Sequence, residues 1–157
     1  INLSASLTGI GTGAFDGTAW LNAQPDGVVY LSTFAYKYKG TMAEGTTLAL
    51  LDGTTDVCGR AFNNCWNLAG IDLPESLKTI GKEAFSGTGL LSVSLPSRID
   101  SIGESAFSGC DKLVSATLPE NLTTIPASMF SRCYALAAIS IPASVEYIGD
   151  EAFSGCI

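Results

Sequence analysis

From Leu68 onward the chain repeats itself every 22 or 23 residues. The units read IDLPESLKTIGKEAFSGTGLLS (71–92), VSLPSRIDSIGESAFSGCDKLVS (93–115), ATLPENLTTIPASMFSRCYALAA (116–138) and ISIPASVEYIGDEAFSGCI (139–157). A unit this short cannot bury its apolar residues alone, so successive units must stack and share a core. The result is a solenoid, whose long, laterally continuous faces suit binding a partner better than catalysing a reaction.

Within the repeat the apolar positions fall in columns. Leu68, Leu90, Leu113 and Leu136 lead into Ile71, Val93, Ala116 and Ile139, then into Leu73, Leu95, Leu118 and Ile141. This alternation predicts short parallel strands with one buried face. Pro74, Pro96, Pro119 and Pro142 follow, and proline ends a strand because it has no N–H to donate. Leu77, Ile99, Leu122 and Val145, then Ile80, Ile102, Ile125 and Ile148, predict a second inward-pointing segment on the opposite side of the coil. Gly81, Gly103 and Gly149 predict a tight bend, and the Ala-Phe pairs after it a single short helical turn. Phe62, Phe85, Phe107, Phe130 and Phe153 are expected to stack as a buried ladder, the main stabilising feature together with the leucine columns.

The ladder has one interruption. Ile1, Leu3, Leu7, Ile10 and Phe15 align with Ile71, Leu73, Leu77, Ile80 and Phe85, and Phe15 lies 47 residues before Phe62, about two periods. One coil is therefore replaced by an insertion at about 16–47 within a single repeat domain spanning 1–157. Val28 to Leu31 and Phe34 to Tyr38 read as the strands of a hairpin, with Lys37 and Lys39 on its wet face and its aromatics packed against the solenoid. Both ends of the chain fall inside a repeat without an evident cap, which points to missing sequence or to end-to-end self-association.

The pattern LxxIxLPxxLxxIGxxAFxGC resembles the BspA-like subclass of leucine-rich repeat proteins, found in surface and secreted proteins of oral and gut bacteria and of some protists. The resemblance runs over about 100 residues from Val57 and recurs in INLSASLTGIGTGAFDG at the amino end. The stretch between is similar to a hairpin insertion of gut-bacterial members. Ser32 stands where the family more often has a turn glycine, and Thr88 replaces the cysteine of its column in a unit one residue short. The resemblance implies a secreted or cell-surface location and adhesion to host matrix proteins, glycans or other cells.

Several function classes are disfavoured. With 15 acidic against 8 basic residues and a net charge of −7, nucleic acid and anionic membranes are poor partners, because binding them draws on Lys and Arg. No apolar run approaches the length of a membrane span. The chain has no histidine, so neither a Ser-His-Asp nor a Cys-His arrangement can be built. The run from Gly9 to Gly13 aligns with a repeat bend and lacks the spacing of a phosphate-cradling loop. Cys65, Cys110, Cys133 and Cys156 share one column, and Cys58 stands in the glycine column. Periodic placement and an odd count predict free, structural thiols and neither a disulfide framework nor a zinc site. The acidic row Glu83, Glu104, Asp150 and Glu151 is broken by Ala127 and Ser128, and no cofactor or metal is expected.

What remains is the outer side of the main strand array. Its outward positions, Gly70 and Asp72, Ser92 and Ser94, Ser115 and Thr117, Ala138 and Ser140, form a carpet of small residues. Trp66 and Tyr134 lie on one turn column, three coils and roughly 14 Å apart. The expected architecture is thus a β-rich, right-handed leucine-rich repeat superhelix of the α/β class, with a parallel strand ladder, short helical turns and one inserted hairpin. The candidate partner-binding residues are Trp66, Tyr134, Asp72, Ser94, Thr117 and Ser140, and the expected ligand is a protein or glycan. The rival reading is a structural spacer that displays another domain and binds nothing.

Overall fold

In the computed structural model, which describes residues 1–4 and 6–157, the apolar columns close into one pile. Phe62, Phe85, Phe107 and Phe130 have no solvent-exposed surface. Their rings stack nearly parallel, with centroids 5.2 Å, 5.3 Å and 5.7 Å apart along that series and a further 5.7 Å to Phe153. Leu68, Leu90 and Leu113 on one side, and Leu77, Ile80 and Ile125 on the other, are equally inaccessible. Burying each such side chain stabilises the fold by about 1.5–3 kcal/mol. Because every ring touches the one before and after it, the coils are stabilised jointly.

In chain order the elements are the one-turn helix α1 (Ala19–Asn22), then β1 (Gly27–Leu31), β2 (Phe34–Lys39), β3 (Thr46–Ala49), β4 (Asp56–Val57) and β5 (Leu68–Asp72). They continue as β6 (Thr79–Ile80), β7 (Ser92–Ser94), β8 (Ser101–Ile102), β9 (Ser115–Thr117), β10 (Thr124–Ile125) and β11 (Tyr147–Ile148). Two rows of parallel pairs run along opposite sides of the coil. On the first side β3 pairs with β5 and β7 with β9. On the second, β2, β4, β6 and β8 form one sheet, edged by β1, and β10 pairs with β11.

The corner joining the two sides is a run of turns, where the sequence predicted a helical turn. Ala84, Ser86 and Thr88 donate their amides three residues back, while Glu83, Phe85 and Gly87 donate to Glu104, Ala106 and Ser108 of the next coil. Alternate donors thus face sideways, which a helix does not allow. Turning them requires left-handed backbone at Arg60, Glu83, Ser105, Ser128 and Glu151, with φ between 55° and 61°, and again at Gly87, Gly109 and Gly155.

Gly81, Gly103 and Gly149 have a different reason from the predicted bend. None of them is left-handed. A methyl group at Gly103 would lie 2.3 Å from the Lys82 nitrogen, and one at Gly81 would lie 2.4 Å from the Gly59 nitrogen. They are glycines because the main chains of adjacent coils meet there. Pro126 stands in the same column. Gly81, Gly103 and Gly149 each donate to the preceding coil, at Val57, Ile80 and Ile125, and Pro126 has no N–H with which to do so. This is where the second row breaks, between β8 and β10.

The insertion replaces a coil by mimicking one. β2 lies parallel to β4, Ala35 opposite Val57, and the Tyr38 ring meets Phe62 at 6.5 Å. Tyr36 packs against Phe15 at 5.5 Å, and its hydroxyl accepts the Phe15 amide. The hairpin therefore fills the space between the amino-terminal repeat and the array. Lys37 and Lys39 are half-buried, not simply wet: Lys37 pairs with Asp16 at 2.8 Å, and Lys39 donates to the carbonyls of Asn22 and Gln24. The hydrogen bond from Lys37 holds the Asp16 carboxyl below its ordinary range. The hairpin turn forms without glycine; only Ser32 of its two central residues is left-handed, at φ 55°, the φ pattern of a type II′ turn.

The last predicted strand does not pair. Among the described residues, no backbone hydrogen bond joins Ala137 through Ile141 to any other main-chain group. The first row is interrupted earlier too: β5 and β7 belong to separate sheets, although the Leu91 amide donates to the Ala69 carbonyl there. Among the described residues the amino-terminal repeat carries no strand either, although Leu3, Ile10 and Phe15 pack against the hairpin core.

Replacing Phe107 by alanine removes a buried ring with a neighbour on each side and is expected to lower stability by about 3–5 kcal/mol. Gly103→Ala, a change that ordinarily stabilises by restricting the unfolded chain, is expected here to cost about 1–3 kcal/mol by forcing two main chains apart. Urea unfolding followed by circular dichroism measures both; a Gly103→Ala protein as stable as its parent contradicts the close approach.

Candidate functional site

The first strand row presents its small residues outward, as its alternation requires. Asp72, Ser92, Ser94, Ser115, Thr117, Ala138 and Ser140 are exposed, and Gly70 is half-buried. Gly70 faces Thr47, whose side chain would lie 3.1 Å from an added methyl group. The shift of register in β3 falls between Thr46 and Thr47, at this tight spot. All four small candidates from the sequence, Asp72, Ser94, Thr117 and Ser140, therefore sit on one accessible side, the last on the segment that does not pair.

The two aromatic candidates differ. Trp66 is 72% exposed, whereas Tyr134 is 52% exposed and its ring edge lies 3.4 Å from the position of a methyl group on Gly155. Tyr134 thus leans on the next coil, and Trp66 stands free. The shortened unit explains part of this: Gly89 sits so close to the Trp66 carbonyl that any side chain there would collide with it.

Two further residues escaped the sequence reading. Leu91 is 53% exposed and Val114 60%. They follow the buried Leu90 and Leu113 and lie on adjacent coils, joined by the Val114 amide donating to the Leu91 carbonyl at 2.9 Å. The available signal was a branched apolar residue one place beyond its column, where the neighbouring units have Ala69 and Ala137. Trp66 and Tyr134 stand on the other side of the buried leucines, three coils apart, with Gly89 and the exposed Asp111 between them in their column.

The opposite corner carries charge but no converging ligand set. Arg60 binds Glu83 through two hydrogen bonds of 2.8 Å and 3.2 Å, and Lys82 pairs with Glu104 at 2.7 Å. The Arg60 guanidinium holds the Glu83 carboxyl below its ordinary value. Among the described residues no three metal-capable side chains come together.

The cysteines are all free, and their column has a specific use. The thiols of Cys110, Cys133 and Cys156 each donate, at 3.2 Å, to the phenylalanine carbonyl of the preceding coil, at Phe85, Phe107 and Phe130. In the short unit Thr88 stands in the cysteine's place, and its hydroxyl donates within its own coil to the Phe85 carbonyl, at 2.9 Å, and also meets Cys110. Burial pushes the Cys58 thiol up to about 12 and Cys65 to about 11. Cys133 is raised by its contact with the Cys110 thiol and by burial, and Cys156 by burial. A thiol raised in this way holds its proton at neutral pH, and the thiolate is the nucleophile. Cys110 shifts the other way, lowered by its hydrogen bond with Cys133, but it is wholly buried. Iodoacetamide at neutral pH is expected to leave the native protein unlabelled and to label five cysteines after unfolding, as read by mass spectrometry; rapid native labelling of Cys110, Cys133 or Cys156 contradicts the hydrogen-bonded column.

The description BspA type leucine rich repeat region matches residues 32–157 in six copies. Among solved structures, a leucine-rich repeat protein of T. pallidum is 27% identical with a TM-score of 0.58, covering 70% of this chain and 63% of its own. A leucine-rich repeat protein of Bacteroides ovatus is 25% identical with a TM-score of 0.47, covering 71% and 41%, and the pneumococcal vaccine antigen PcpA 28% with 0.49, covering 65% and 24%. The chain thus spans less than two thirds of each of these proteins. No curated protein matches it. Among the described residues no helix is long and apolar enough to cross a membrane. The parallel rows, the phenylalanine ladder and the six matched repeats together establish that the chain belongs to the BspA-type leucine-rich repeat family.

Proposed function

We propose that residues 1–157 form one leucine-rich repeat domain, interrupted at about 16–47, that is the non-catalytic binding module of a bacterial cell-surface or secreted protein. Its ligand is a host extracellular protein that docks on the first strand row. The reading is carried by the exposed neighbours Leu91 and Val114 and the exposed rings of Trp66 and Tyr134, beside a carpet of small residues. Leu91 and Val114 lie side by side on adjacent coils, and exposed apolar side chains that adjoin one another inside a polar border are the kind of surface an interaction uses. Small side chains let a partner's surface approach the sheet, and a free-standing tryptophan is the residue type that most often dominates binding energy. Aliphatic Leu91 and Val114 favour a protein over a glycan. The absence of histidine and the raised thiols of Cys58, Cys65, Cys133 and Cys156 support a role without catalysis.

Biolayer interferometry against immobilised fibronectin, fibrinogen and a glycan panel tests the reading. One protein ligand is expected to bind, with Trp66→Ala weakening it by about 2 kcal/mol, roughly thirty-fold, and with Leu91→Ser and Val114→Ser adding to the loss while circular dichroism stays unchanged. Binding of the glycans alone replaces the protein reading. Uniform failure to bind favours a spacer that holds another domain away from the cell.

A further inference from the structure

The unpaired seam between β9 and Ala138–Ile141 is open on one side of the coil only. At the same boundary the corner is closed, with Ser128, Phe130 and Arg132 donating to Asp150, Ala152 and Ser154 at 2.7 to 2.8 Å. The second side is closed too, where β10 pairs with β11. Only the first side lacks main-chain pairing, and a cleft of about 480 Å³ lies along it, lined by Ala116, Leu118, Glu120, Ile139, Ile141 and Pro142 among others. That volume is in the range of ligand clefts, about 300–1,000 Å³.

The walls of the cleft define what fits it. The Thr117 carbonyl accepts from Leu95 on the far side, so the alternation of a strand turns the main-chain groups of Ala116 and Leu118 into the cleft. Facing them is the stretch from Ala137 to Ile141, whose main-chain groups have no backbone partner among the described residues. Two edges of orphan N–H and C=O groups select another extended main chain, which alone carries donors and acceptors at the strand repeat. The lining side chains are small or apolar, and its one charged residue is the exposed Glu120. In a chain of net charge −7, that carboxylate favours a basic side chain on the incoming strand. The comparable cleft on the second side, beside Pro126, is smaller at about 270 Å³ and lacks the proline's donor.

We infer that this seam is a strand-insertion site, which takes an extended peptide segment bearing Lys or Arg between β9 and Ala138–Ile141. This goes beyond docking on the outer face, although Thr117 and Ser140 border both surfaces. The inserted segment joins the first row as an added parallel or antiparallel strand.

The test uses the full chain and the peptide Ac-Lys-Val-Thr-Val-Thr-Val-NH2, with a control in which alternate peptide nitrogens are methylated. Amide exchange by ¹⁵N NMR is expected to show Ala116, Leu118, Ile139 and Ile141 exchanging freely without peptide. Saturating peptide slows them at least about ten-fold, the methylated control does not, and Glu120→Lys weakens binding several-fold. Trp66→Ala leaves peptide binding intact, so loss of matrix binding and loss of strand insertion are read separately. Protection of these amides in the free protein shows a closed seam and overturns the inference. So does the absence of shifts at about 1 mM peptide, or shifts confined to the edge strand Tyr147–Ile148.

Discussion

Everything in this molecule depends on one coil meeting the next closely enough for phenylalanine to stack on phenylalanine. Successive rings from Phe62 to Phe153 sit 5.2 to 5.7 Å apart, and that spacing is set by main chains bonded to each other at the corner. Its requirements radiate outward. Gly81, Gly103 and Gly149 are bare because backbone touches backbone. Glu83, Ser105, Ser128 and Glu151 are left-handed because alternate amides must point sideways. Left-handed backbone costs an ordinary residue roughly 1–2 kcal/mol, and the shared ring column outweighs it at every coil.

The same constraint shapes the departures from regularity. The insertion is tolerated because Ala35, Tyr36 and Tyr38 offer the array what a coil would, a parallel edge and two aromatic rings. A proline at 126 opens the second row, yet the coil stays in place because Phe107 and Phe130 remain stacked. The first row is unpaired between β5 and β7 and again beyond β9, without loss of the ladder. Openings are confined to the strand rows, where partners can reach main-chain groups, and the corner holds throughout.

The apolar columns were legible in the sequence because burial leaves a periodic trace: Leu68, Leu90 and Leu113 must all be apolar to share one core. The exposure of Trp66 and Tyr134 was legible because their shared turn column is not one of the apolar columns. Three kinds of feature were not. Cys110, Cys133 and Cys156 announced their burial but not their donation to Phe85, Phe107 and Phe130, since a small buried residue and a hydrogen-bonded one leave the same trace. The glycine column read as a bend because freedom of φ and lack of a Cβ are indistinguishable in one letter. Leu91 and Val114 passed unnoticed, and Ala138–Ile141 read as a strand, because pairing depends on the neighbouring coil and not on the segment's own alternation.

The stacked ring column is tested most directly by nuclear Overhauser contacts between phenylalanine rings in a protein protonated only at those rings, assigned by single Phe→Leu replacements. The account predicts an unbroken chain of contacts from Phe62 to Phe85, Phe107, Phe130 and Phe153, with none that skips a coil. Rings that show no contact with their neighbours one repeat away, or that contact across two repeats, contradict it.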